Sequence, residues 1–216
     1  MEQTKSFVPA LGLDWLTRFY DPLIAATLRE AELKRRLIEQ AGIAPGMKVL
    51  DFGCGTGTLV LMLKRECPGA HVFGLDVDPK VLGIAREKVS RAGLDITLEQ
   101  GRAAEPPFAP ATFDRILTSL VLHHLRTAEK EEALSGLRRL LRPGGELHIA
   151  DFGPPQNALM WAVSRLVSAL DGADRTEANL GGRLPALAAA AGFSDVRGCG
   201  EMMTSFGTVA FLRGRA

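Results

Sequence analysis

The sequence predicts an α/β fold, a mostly parallel sheet with helices packed on both faces. Three observations carry that prediction. Apolar runs of strand length alternate with segments of helical period along most of the 216 residues. The first run, VLDF, gives way to the glycine-rich turn at Gly53–Gly57. The second, VFGL, ends in Asp76, nineteen positions after Gly57. Parallel neighbours need a crossover between them, usually a helix, and the alternation supplies one after each strand.

Taken in order, strands are predicted near 47–52, 71–76, 95–99, 113–119, 145–151, 194–201 and 205–213. Helices are predicted over 58–66, 79–92, 128–141 and 183–191. Pro79 suits a first helical position, where its missing N–H costs nothing, and Gly93 and Gly192 suit C-terminal stops. The last two strands lie too close together for a crossover helix, so they should pair antiparallel. One domain is expected: 1–42 a helical cap, 43–153 a ligand-binding core, 154–182 an inserted lid, 183–216 a closing helix and hairpin. A chain of this length with 46% hydrophobic residues can bury one sizeable core.

Composition narrows the function. A net charge of +1 offers no broad attraction to nucleic acid or anionic lipid, and neither is expected as a partner. The basic clusters Lys34–Arg36 and Arg138, Arg139, Arg142 fall on predicted helices beside glutamates and read as solvated faces. No apolar run reaches the roughly 18 residues of a membrane span, and no secretory signal pattern opens the chain, so cytoplasmic residence is the expectation. Cys54, Cys67 and Cys199 are too few and too unevenly spaced for a disulfide framework or a zinc site, and no metal is expected. Cys54 reads as a small residue within the turn, the other two as buried thiols.

The turn itself points to a ligand. Glycine lacks a Cβ, so it adopts left-handed backbone and lets a small molecule approach the main chain. Between a buried strand and a helix, such a turn forms the ligand crevice of an open α/β sheet. Asp76, at the end of the next strand, suits a pair of ribose hydroxyls, as the acid about 20 residues beyond a dinucleotide fingerprint does. The third glycine separates the two cases. A GxGxxG pattern begun at Gly53 needs glycine where this chain has Thr58, and its glycines stand instead at Gly53, Gly55 and Gly57.

With these glycines, with EQGRAAEPPF, FDRILTSLVLHHL, LRRLLRPGGELHIADFG and LPALAAAAGFSDVR following in order, the chain resembles the S-adenosylmethionine-dependent methyltransferases of Rossmann-like fold. The likeness runs from about Ile43 to Arg213 and is nearest the branch of ubiquinone and menaquinone C-methyltransferases. It implies a seven-stranded sheet with the last strand antiparallel and a helical lid. It also implies S-adenosyl-L-methionine as cofactor, S-adenosyl-L-homocysteine as product, and a small-molecule methyl acceptor.

The resemblance assigns residues. Asp51 either accepts a hydrogen bond from the methionine amino group or orders the loop, unless it is simply a helix-capping acid. Gly53, Cys54, Gly55 and Gly57 border the cofactor, the glycines through main chain; Asp76 holds the ribose and Val77 lies against the adenine. Relatives commonly carry an aspartate after the next glycine, whereas this chain reads Gly101, Arg102, Ala103. Arginine cannot accept the adenine amino proton, so backbone groups at Arg102 and Ala103 would read the ring, and the Arg102 guanidinium either stacks on it or points to solvent. Thr118, Ser119 and Leu120 end the fourth strand and should flank the methionine half, with Tyr20 either touching its carboxylate or packing as an aromatic.

Methyl transfer needs alignment more than acid–base chemistry: orientation supplies effective molarities of about 10⁵ to 10⁸ M, a general base about 10² to 10⁴-fold. His123 and His124 are the base candidates. Neighbours on an extended segment point opposite ways, so at most one should face the methyl group. Loop anchoring is the alternative role for both, while His71 and His148 fall on strands and read as structural. Leu159, Val163, Leu166, Val167 and Leu170 form an apolar stripe at helical spacing within 154–182. With Trp15, Phe19 and Tyr20 they would roof a lipophilic or aromatic acceptor. Two further readings stay open: an S-adenosylmethionine-binding sensor or scaffold without turnover, and a NAD-dependent oxidoreductase, which the glycine spacing disfavours.

Overall fold

The computed structural model describes residues 29–216. The elements run α1 (Glu30–Ala41), β1 (Lys48–Phe52), α2 (Thr58–Glu66), β2 (His71–Asp76), α3 (Pro79–Ala92), β3 (Ile96–Gln100), β4 (Phe113–Ser119), α4 (Thr127–Leu140), β5 (Leu141–Phe152), α5 (Ala158–Asp171), α6 (Ala173–Leu180), α7 (Leu184–Ala190), β6 (Ser194–Thr204) and β7 (Gly207–Arg215). A single 3₁₀ turn, Leu122–His124, joins β4 to α4. All seven strands make one sheet in the order β3-β2-β1-β4-β5-β7-β6, with β7 antiparallel to its neighbours β5 and β6. The expected Rossmann-like α/β sheet, with its antiparallel last strand, is therefore the fold.

Two apolar layers sandwich the sheet. On one face Leu33 and Leu37 of α1, Leu59 and Leu63 of α2 and Leu82 of α3 bury against Val49, Leu117 and Phe211. On the other, Leu134 and Leu137 of α4 and Leu184 and Leu187 of α7 bury against Leu50, Ile116 and Ile149. The central strand β1 is covered on both faces and is buried from Val49 to Phe52, which explains its unbroken apolar sequence. Successive side chains alternate between the layers, so Asp51 shares a face with Val49, while Phe52 shares the other with Leu50. Strand order reverses beside β1, between β2 and β4, which opens the crevice where open α/β sheets bind ligands.

Local signals act as expected at α3. The Asp78 carboxylate accepts from the Lys80 N–H at 2.8 Å, Pro79 occupies the first turn, and Gly93 closes the helix at φ +62°. Other expectations are corrected. Leu159 is 68% exposed and Trp161 58%, whereas Met160 and Ser164 are buried and Val163 is half-buried, so Leu159 does not pack on the domain. Cys67 and Cys199 are half-buried, because one ends α2 and the other lies on the edge strand β6. Arg36 is not a solvated cation: its guanidinium lies 4.4 Å from the Phe211 ring centroid and donates to the Cys199 and Glu201 carbonyls at 3.2 and 3.0 Å. Among the described residues, no helix is long and apolar enough to cross a membrane.

Candidate active site

The glycine turn leaves β1 under steric control. Gly53, Gly55 and Gly57 all have left-handed backbone, at φ +72°, +51° and +83°. A Cβ on Gly53 would stand 2.4 Å from Val121 Cγ2, so this glycine lets the turn after β4 close onto the turn after β1. Gly55 is different. A Cβ there would meet nothing within 4 Å, so the open side of the turn faces the crevice at Gly55. Cys54 tucks under the turn, where burial, with Asp51 and Asp76 nearby, pushes its thiol well above the usual range and keeps it protonated.

Asp76 braces the turn from β2. Its two oxygens accept the Gly55 N–H at 2.8 Å and the Asp78 N–H at 3.0 Å. An ionised carboxylate has about four acceptor positions, so two remain for ligand hydroxyls. Burial raises its pKa, against those hydrogen bonds. Beyond it lies a cleft of about 410 Å³ lined by Val77, Asp78, Pro79, Gln100, Gly101 and Arg102. The Gln100 amide donates to the Val77 carbonyl at 3.2 Å and ties the two walls together. Ala103 is instead buried against α4, where Gly136 makes room for its carbonyl.

Polar atoms without partners gather at the strand ends. Asp51 is 2% exposed, and its Oδ2 has no hydrogen-bond partner among the described residues. Burial pushes its pKa up to about 7, the Lys34 ammonium opposing and Asp76 adding to the rise. Thr118 Oγ1 and Ser119 Oγ on β4 are likewise buried and unpartnered. Ser119 shares its face with Leu117 and Asp51, whereas Thr118 points to the opposite layer with Ile116. Buried oxygens left unpaired cost stability unless a ligand or water completes them, which is the signature of a polar binding site. Leu120 follows at φ +58°, its N–H bonded to the Ala150 carbonyl at 2.9 Å.

The two histidines do not lie on extended chain. They form the 3₁₀ turn, and their ring centroids are 3.9 Å apart, so both side chains stand on the same side of the β4 exit. His123 is buried, with Nδ1 2.8 Å from Asp151 Oδ1. Asp151, which ends the apolar core of β5, also accepts the N–H groups of Val121, Leu122 and Phe152 and the Asn179 amide. Burial would raise its pKa, but His123 and these N–H groups outweigh burial and hold it below the usual carboxylate range. His124 keeps an edge in solvent. The crowded recess around its ring and the neighbouring His123 still lower its pKa, by less than full enclosure would.

Sequence reasoning passed over Asp151, although an acid closing an apolar strand, as in LDFG and GLDV, was the available signal. Asn179 and Lys130 carried none. Lys130, fully buried in α4, donates to the Leu125 carbonyl and, at 2.6 Å, to the Arg175 carbonyl, pinning α6 to the histidine turn. Tyr20, with Trp15 and Phe19, lies outside the described residues.

Comparison with known proteins agrees with this arrangement. A methyltransferase-domain family model matches residues 49–145. An uncharacterized methyltransferase of Synechocystis sp. is 34% identical over 179 residues, covering 83% of this chain and 80% of that protein. A demethylmenaquinone methyltransferase of Thermus thermophilus is 36% identical over 133 residues, 62% of this chain and 60% of that one, so the shared part is less than two-thirds of the quinone enzyme. Among solved structures, a Haemonchus contortus phosphoethanolamine N-methyltransferase in complex with S-adenosyl-L-methionine superposes with TM-score 0.74 at 21% identity, covering 90% of this chain and 44% of that one, and shows the fold. The crevice at the β1–β4 reversal, its glycine turn and its two strand-end acids thus have a family: the chain belongs to the S-adenosylmethionine-dependent methyltransferases.

Proposed function

We propose that this enzyme binds S-adenosyl-L-methionine along the crevice and methylates a small, lipophilic or aromatic acceptor of the quinol type. The single observation that carries the reading is the buried Asp51 Oδ2, unpartnered among the described residues, beside the open left-handed backbone of Gly55. A carboxylate of this kind matches the methionine ammonium, and Ser119 Oγ on the same face can pair with its carboxyl end. The free acceptor positions of Asp76 match the ribose hydroxyls, and the cleft at Val77 and Gly101 accepts the adenine, with the Arg102 guanidinium stacked on it. The cofactor supplies an electrophilic methyl group; the protein supplies alignment and a dry setting.

The acceptor side lies toward β5. A cleft of about 510 Å³ there is walled by Phe152, Leu184, Pro185 and Leu212, with Gln156, Asn179 and Glu201 as its polar groups. Those walls fit a flat apolar molecule. The name of the Thermus thermophilus relative supports a quinol acceptor.

Calorimetry tests the reading. S-adenosylhomocysteine should bind in preference to NAD, and Gly55→Val should weaken it at least a hundredfold, because a β-branched side chain resists φ near +51° and would fill the open side of the turn. Preferential binding of NAD, or indifference of S-adenosylhomocysteine to Gly55→Val, overturns it.

A further inference from the structure

We propose that Asp151 is a positioning residue that fixes His123 as the proton acceptor of this site. The inference rests on the function proposed above and adds the route of the proton. Asp151 is fully buried, and its carboxylate accepts backbone N–H groups from both strand exits: Val121 at 3.0 Å and Leu122 at 2.7 Å after β4, Phe152 at 2.8 Å after β5. Its position is therefore set by main chain. His123 Nδ1, 2.8 Å away, is held as the N–H that donates to this anion. That bond fixes the tautomer, so Nε2 carries the lone pair, and Nε2 has no partner among the described residues. Phe152, edge-on at 4.7 Å, and His124 confine the ring from its two sides.

Charged groups approach the histidine turn from three elements: Asp151 from β5, the Lys130 ammonium from α4 and the Arg175 guanidinium from α6, with His124 on the same turn. Lys130 gives its protons to the Leu125 and Arg175 carbonyls, which fixes the ammonium in place. Among the described residues, the one anion paired with His123 is Asp151. Asn179, donating from α6 at 3.1 Å, draws on the same carboxylate and tempers it.

An acceptor whose O–H or activated C–H takes the methyl group loses its proton to His123 Nε2. The electron pair of the donor's sulfur–carbon bond stays on sulfur, and the positive charge passes from the sulfonium to the imidazolium beside Asp151. A buried carboxylate in contact stabilises that imidazolium. An amine acceptor would not need the pair, since a neutral amine requires no fixed base.

The test compares wild type, Asp151→Asn and Asn179→Leu, each loaded with S-adenosylhomocysteine, by NMR titration of the histidine rings. Asp151→Asn keeps an oxygen for the Val121 and Leu122 N–H groups but loses the charge and the acceptor that faces His123, and should lower the His123 titration by one unit or more. Asn179→Leu removes the amide donation to Asp151 and one polar group of the acceptor cleft, and should raise the His123 titration. A structural role alone moves neither in opposite senses. With S-adenosylmethionine present, 1,4-dihydroxynaphthalene should be methylated at least tenfold faster than phosphoethanolamine, and Asp151→Asn should reduce kcat at least tenfold with KM within twofold. A His123 titration indifferent to both variants, preference for the amine, or turnover of neither probe overturns the inference. Failure of S-adenosylhomocysteine to bind wild type overturns the function reading instead.

Discussion

Asp51 is the residue on which binding and stability pull apart. Its folded pKa, about 7, lies above the unfolded carboxylate value, so its contribution to stability is fully present below the unfolded pKa and is lost as pH rises through 7. At pH 8 the protein carries a desolvated charge that costs on the order of a few kcal/mol, since each pKa unit is about 1.4 kcal/mol. Asp51→Asn should therefore raise the thermal midpoint at pH 8 and weaken S-adenosylhomocysteine, checked by melting scans and calorimetry on the same samples. In wild type the affinity should rise between pH 6 and 8 with release of a proton, because the bound ammonium favours the ionised carboxylate; in Asp51→Asn it should be flat over that range. A melting midpoint lowered by Asp51→Asn would show that the carboxylate has a partner in the free protein.

At the scale of elements, α4 is the piece that joins the two halves of the crevice. Its first turn carries Lys130 against the histidine turn, and its middle receives the adenine-side loop at Gly136. A Cβ on Gly136 would stand 1.8 Å from the Ala103 carbonyl oxygen. Helix propensity alone predicts that Gly136→Ala stabilises by about 1 kcal/mol. The clash predicts the reverse, about 1 to 3 kcal/mol of destabilisation together with weaker nucleotide binding as Arg102 is displaced. Urea denaturation and calorimetry decide between the two signs.

Legibility followed the same division. Elements that close locally, such as α3 with its Asp78 cap, Pro79 and Gly93, could be placed to the residue. The glycine turn and the acids Asp51 and Asp76 were legible because backbone conformation and strand-end position are written in local sequence. The histidine geometry was not, since a 3₁₀ turn in place of extended chain depends on Asp151 reaching back from β5 to catch Val121 and Leu122. Nor was the burial of Met160 on α5, a helix packed on α6 and β7, or the role of Arg36, whose hydrogen-bond partners lie more than 160 positions away.

For the molecule as a whole, the response to acid is a difference between opposed groups. His148 is fully buried, its Nδ1 3.1 Å from the Gln40 amide nitrogen, and burial lowers its pKa although Glu146 pulls the other way. A histidine lowered on folding loses stability as pH falls from its unfolded value, near 6.5, through its folded one. Asp51 gains stability over much of the same interval, and His124, lowered as well but exposed, adds less to the loss than His148. Wild type should thus be nearly level between pH 7 and 5, Asp51→Asn should fall steeply there, and His148→Gln should rise. Urea midpoints across that range check the ordering, and parallel curves for the three proteins would refute it. Glu146 and Asp151, both held below the usual carboxylate range, take over beneath about pH 4 and are lost there as they protonate.

Leucine, not glycine, occupies the left-handed bend where β4 ends. Such a conformation costs a side-chain-bearing residue about 1 kcal/mol or more, and here the bond to Ala150 and contacts with the apolar layer hold it. One corner of the crevice is therefore set by a bend that a main-chain bond and the apolar layer clamp in place.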